Sequence, residues 1–131
     1  MSEPVAFLSA EWQALLPGAY ADLPPRAGDT ALVEHTVTGA PGGDVVCWTA
    51  FEDGRLVGSG SGARPEAAVT VTLPYAVALE VATGRSDASA AFMQGRAKVG
   101  GDQAALLRVL ALTATPAYRV ATGRLAERTR G

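Results

Sequence analysis

The chain contains one histidine and one cysteine, His35 and Cys47, and these are the side chains best suited to chemistry near neutral pH. His35 could transfer a proton, although on an apolar strand face it is more typical of a hydrogen-bonded histidine at the edge of a core. A protein-only zinc site needs about four ligands, so we predict no metal site. No histidine or arginine neighbours Cys47 in sequence, which indicates a buried, inert thiol.

The stretch Gly58-Ser59-Gly60-Ser61-Gly62 shares residue types with nucleophile turns and dinucleotide-binding loops. A nucleophile elbow requires serine as the third residue of G-x-S-x-G, and a dinucleotide fingerprint requires a further glycine where Ala63 stands. Neither requirement is met, so the stretch predicts a flexible or bulged strand end. We predict no cofactor and no catalytic residues, and the sequence favours a protein without enzymatic activity.

Length and composition predict a single domain over residues 1–131 with an extensive core, because 48% of the residues are hydrophobic. A formal net charge of −2 gives no reason to expect nucleic-acid binding. The first residues lack the pattern of a signal peptide, and no apolar run reaches transmembrane length. We therefore expect a cytoplasmic protein without stable membrane insertion. Ten of the eleven basic residues are arginine, which together with the abundant alanine, glycine and proline suggests a GC-rich bacterial genome.

Hydrophobic periodicity predicts five strands and five helices. The strands are expected over residues 30–38, 44–51, 55–60, 67–73 and 96–99, and the helices over 8–20, 75–83, 87–94, 103–112 and 117–128. Pro74 is expected at the first position of its helix. Asp53-Gly54 predicts a tight hairpin. Strands and helices that follow one another without regular βαβ alternation favour an α+β fold, with a mostly antiparallel sheet covered on one face by helices.

The segment from Gln94 to Asp102 is the most distinctive in the chain. It combines a helix that ends in Gln94-Gly95, a basic–apolar strand from Arg96 to Val99, and Gly101-Asp102 before an apolar helix. Together with Ala68–Leu73 and Ala82–Gly95, this segment resembles the sterol carrier protein type 2 family, strongly over about residues 66–113. The resemblance implies a twisted sheet of about five strands that encloses an apolar tunnel, in which family members bind sterols, fatty acids, acyl-CoA or phospholipids without covalent chemistry.

The resemblance also supplies candidate ligand-binding residues, to which the strand pattern adds Trp48 and Phe51. The residues carried over by position are Val71, Leu73, Tyr75, Val77, Val81, Phe92, Met93, Val99, Leu106, Leu107 and Leu110. Each of them could equally belong to a simple packed core.

Three hypotheses follow from these patterns. The first is non-enzymatic binding or transfer of a hydrophobic small molecule, such as a sterol, a fatty acid or an acyl-CoA. The second is an enzyme that acts on a hydrophobic metabolite, with His35 as acid or base and Tyr75 or Glu34 assisting. The third is a protein-interaction module whose tunnel has collapsed into core. The sequence leaves the ligand and the oligomeric state open.

Overall fold

The structure, a computed structural model, describes residues 4–130. Its helices are α1 (Ala10–Ala19), α2 (Tyr75–Ala82), α3 (Ala88–Met93), α4 (Gln103–Thr113) and α5 (Pro116–Ala126). Its strands are β1 (Val5–Ala6), β2 (Ala31–Thr38), β3 (Val45–Glu52), β4 (Arg55–Ser61), β5 (Val69–Pro74), β6 (Lys98–Gly101) and β7 (Thr129–Arg130).

Five of these strands form one mixed sheet in the order β4-β3-β2-β5-β6. Only the central β2–β5 pair is parallel, and the other three pairs are antiparallel. The β3–β4 hairpin turns at Asp53 and Gly54, whose φ angles of 49° and 82° are the two positive values that the favoured two-residue turn requires. The predicted α+β fold with a mostly antiparallel five-stranded sheet is confirmed. The separate parallel pair of β1 and β7 was not anticipated.

Side-chain caps fix where most of the helices begin. Ser9, Asp87, Asp102 and Thr115 each accept a hydrogen bond from a backbone N–H in the first turn of α1, α3, α4 and α5. Such caps stabilise a helix by about 1 kcal/mol each. Helix α2 differs, because Pro74 is its N-cap and the last residue of β5 rather than the first helical residue.

Strand β6 lies two residues later than predicted. Arg96 precedes the strand and pairs with Glu80 of α2, whereas Gly100 and Gly101 continue the strand instead of ending it. The reason is steric, because a Cβ on Gly101 would lie 2.2 Å from the carbonyl oxygen of Ala68. Glycine at position 101 therefore allows the edge strand to approach its neighbour, and it does not end the strand.

The helices pack on one face of the sheet, and the core lies between the two layers. Val33, Val69 and Leu112 are the largest fully buried side chains in it. Tyr20, the C-cap residue of α1, packs against α5. Its hydroxyl lies 2.8 Å from Thr122 Oγ1, and its ring stacks on Tyr118 with a centroid distance of 4.6 Å. No helix within residues 4–130 has the length and apolarity needed to cross a bilayer.

A candidate ligand-binding cavity

A cavity of about 630 Å³ lies between the inner face of the sheet and the helices. Alternation along the strands creates its floor, since every second residue of β2 and β5 points inward. Strand β2 contributes Val33, His35 and Val37, and β5 contributes Val69 with further apolar residues. The volume falls in the range of about 300–1,000 Å³ that is typical of small-molecule sites.

Eight of the predicted ligand-binding residues line this cavity. They are Phe51, Val71, Leu73, Val81, Phe92, Val99, Leu106 and Leu110. They come from strands β3, β5 and β6 and from helices α2, α3 and α4, so the fold brings distant sequence segments to one apolar wall.

The other five predicted residues do not line it. Met93 and Leu107 lie on the surface, and the two residues are 80% and 64% exposed. Successive residues point about 100° apart around a helix, and α4 turns Leu106 and Leu110 towards the cavity while Leu107 lies on its exposed side. Val77 is buried in a neighbouring apolar cluster that also contains Val37.

Trp48 lies on the opposite, outer face of the sheet. Its ring covers the strand β4 glycines, and a Cβ on Gly58 or Gly60 would lie 3.3 or 3.0 Å from it. The guanidinium of Arg64 lies 4.5 Å from the ring centroid on this outer face, a cation–π contact. The glycines of this stretch therefore leave room for the indole ring to pack against β4. Tyr75 lines a second, smaller cavity of about 320 Å³.

The cavity opens to solvent at a rim formed by the α2–α3 loop and α5. The exposed residues of the lining are Gly84, Arg85, Asp87, Arg119 and Gly123. These include all the formally charged residues of the described lining, so the interior carries no acidic or basic side chain apart from His35 and the weakly acidic thiol and phenol groups. The cavity therefore combines a mostly apolar, uncharged interior with a charged rim.

His35 lines this interior and is half-buried. Its Nε2 lies 3.1 Å from Thr49 Oγ1. Burial lowers the pKa of His35 from 6.5 to about 4, against a smaller opposing effect of the Glu34 charge. The ring is therefore neutral near pH 7.

The acid–base partners proposed for His35 lie elsewhere. Glu34 points away from it on the same strand, and its Oε1 accepts a hydrogen bond of 2.6 Å from the backbone N–H of Arg64. Tyr75 lines the second cavity. Within residues 4–130, no group of three or more histidine, cysteine, aspartate and glutamate side chains is arranged to hold a metal ion.

Sequence patterns missed several cavity residues, most notably Gln13 and Thr122. Both are polar and buried, with 3% and 8% of the residue exposed. Gln13 lies next to Trp12 on α1, and nothing in the spacing distinguishes a buried glutamine from an exposed one. Burial also raises the pKa of Tyr118, a further lining residue from α5, well above its ordinary value.

A sheet with helices on one face and a mostly apolar cavity between the layers is an arrangement that can enclose a small molecule. Comparison with known families agrees, because the SCP-2 sterol transfer family matches residues 26–113, which is 88 of the 131 residues. The chain belongs to this family, as the resemblance predicted. Helices α1 and α5 lie outside the matched part.

Solved structures share the fold at low sequence identity. A protein from Thermus thermophilus, itself described only as a candidate sterol carrier protein, superposes with a TM-score of 0.69 at 20% identity, covering 96% of both chains. A crystal structure of sterol carrier protein 2 gives 0.69 at 16% identity, covering 93% of this chain and 98% of that one. A palmitated sterol carrier protein 2-like 2 from Aedes aegypti gives 0.60 at 13% identity, covering 80% and 89%. No curated protein sequence matches this chain significantly.

Proposed function

We propose that this protein is a non-enzymatic carrier that encloses one elongated amphiphile, such as a fatty acid or an acyl derivative, in the cavity between its sheet and its helices. The observation that carries the proposal is the cavity of about 630 Å³ with a mostly apolar interior. A cavity kept open in this way leaves its lining without packing partners, and this cost is recovered when an apolar ligand fills it.

The rim supports an anionic head group on that ligand. Arg85 and Arg119 line the opening and are exposed, and within the described residues neither forms an ion pair. Asp87 also lies there, but its Oδ1 accepts the N–H of Ala90 at the start of α3. Two guanidinium groups and one carboxylate give the rim an excess of positive charge, which favours a carboxylate or phosphate at the opening.

Palmitate is the first probe, because the Aedes aegypti protein with this fold was solved in a palmitated form. Burial of each methylene contributes about 0.8 kcal/mol, or about a fourfold gain in affinity. Isothermal titration calorimetry with saturated fatty acids of increasing length should show this gain per methylene until the cavity is full. Native mass spectrometry of the purified protein, followed by organic extraction, would identify a co-purified ligand.

Two leucines on one helix provide a matched pair of variants. Leu110→Asp places a carboxylate in the cavity wall, whereas Leu107→Asp places it on the exposed side of α4. Circular dichroism establishes that each variant is folded. We expect folded Leu110→Asp to lose palmitate binding and Leu107→Asp to retain it. Equal binding by both variants would mean that palmitate does not occupy this cavity, and no binding by the unaltered protein would reject the carrier function.

A further inference from the structure

One part of the cavity wall is polar, and it is formed by other elements than the charged rim. Four side chains form this polar patch: Gln13 of α1, His35 of β2, and Cys47 and Thr49 of β3. The β2–β3 register places His35 directly beside Cys47, and Thr49 is the next inward residue along β3. Ser59 of β4 donates a hydrogen bond of 2.6 Å to the carbonyl oxygen of Gln13, which holds α1 against β4, the neighbour of β3 in the sheet.

Gln13 is the most informative member of the polar patch. It is 97% buried, yet neither its Oε1 nor its Nε2 has a hydrogen-bond partner within residues 4–130. A buried amide without partners is uncommon in native proteins, because it loses its bonds to water and gains none in return. The Cys47 thiol also lines this part of the wall; burial raises its pKa and Gln13 lowers it only in part, and a thiol is a weak hydrogen-bond partner.

The polar patch carries no charge near neutral pH. His35 is a neutral imidazole held by Thr49, and the other members are an amide, a hydroxyl and a thiol. A carboxylate or an ammonium group would be buried beside them without a counter-charge, which is strongly unfavourable. An uncharged oxygen, in contrast, could accept from the amide Nε2 and, if it is a hydroxyl, could also donate to Oε1.

We infer that the polar patch is a specificity site for an uncharged oxygen group, a hydroxyl or a carbonyl, carried on the apolar body of the ligand away from its head group. The inference rests on the proposed carrier function and adds the ligand class: an oxygenated acyl chain rather than a plain one. An unsubstituted chain would fill the same volume but would leave Gln13 without a partner.

Stearate and the positional isomers of hydroxystearate test this inference, because they differ by one hydroxyl. We expect at least one isomer to bind the unaltered protein about three- to tenfold more tightly than stearate, the effect of one or two neutral hydrogen bonds. Gln13→Leu should reverse the preference while binding stearate at least as well. Thr49→Val, a nearly isosteric change, should reduce the preference by weakening the anchor of His35.

Thr36→Val is the matched control, since Thr36 lies on the outer face of β2, next to His35 in the chain. This variant should keep the preference of the unaltered protein. If stearate binds but no isomer is preferred, and Gln13→Leu leaves the ratio of affinities unchanged, the specificity site is rejected and the carrier function stands. If neither stearate nor any isomer binds, both proposals are rejected.

Discussion

Replacing His35 by glutamine should remove a specific part of the pH dependence of folding stability. In the folded protein, burial lowers the pKa of His35 to about 4, whereas an exposed histidine in the unfolded chain has a pKa of 6.5. Protonation therefore favours the unfolded chain, so stability is lost as the pH falls below 6.5 and the loss is complete near 4. Proton linkage predicts that the free energy of unfolding falls by about 2 kcal/mol between about pH 7 and pH 5.

The assay is urea denaturation of the unaltered protein and of His35→Gln at these two pH values. Glutamine can still bond to Thr49 Oγ1 but does not titrate in this range. Ordinary aspartates and glutamates, with pKa values of about 3.9–4.3, contribute little in this window. When the pH is lowered from 7 to 5, the free energy of unfolding of the unaltered protein should fall by about 2 kcal/mol more than that of the variant. An equal loss of stability in both proteins would refute the inference that His35 is buried and neutral in the folded protein. Nuclear magnetic resonance of this single histidine would measure its pKa directly.

Two further predictions concern the rim and the sheet edge. The double variant Arg85→Gln/Arg119→Gln should bind palmitate about two- to tenfold more weakly, because the carboxylate of palmitate interacts with the guanidinium groups. Its affinity for the uncharged hexadecanol should not change. Equal weakening of both ligands in calorimetry would exclude an anion site at the rim. Gly101→Ala should lower the free energy of unfolding by at least about 2 kcal/mol more than Gly62→Ala, because both glycines have positive φ but only at Gly101 would the Cβ clash with the Ala68 carbonyl. Equal costs in urea denaturation would contradict this account of β6.

The sheet could be predicted well because its signals are local. Alternation of Val33, His35 and Val37 identifies the inward face of β2, and Asp53-Gly54 identifies the hairpin from two residues. Periodicity also indicated the five helices, and the order of the elements indicated that they cover one face of the sheet. These features depend on near neighbours in the chain, which a single sequence displays directly.

The candidate site was only partly predictable, because it depends on helix rotation and on what fills the interior. The run Leu106-Leu107 offers two apolar faces for α4, and only packing selects Leu106. Trp48 belongs to an apolar strand, yet its partners Gly60 and Arg64 are recognisable only once β4 is paired with β3. Cavity lining and solid core use the same residue types, so no periodicity separates them.

The two tryptophans of the chain lie on opposite sides of the sheet, which gives the protein a built-in optical reporter. Trp12 lines the cavity, and its indole N–H donates to Thr129 Oγ1 at 3.0 Å, whereas Trp48 lies outside against Arg64. A ligand that enters the cavity will therefore change the emission of Trp12 and leave Trp48 as an internal reference. In a Trp48→Phe variant, the intrinsic fluorescence becomes a single-site signal of cavity occupancy that needs no label.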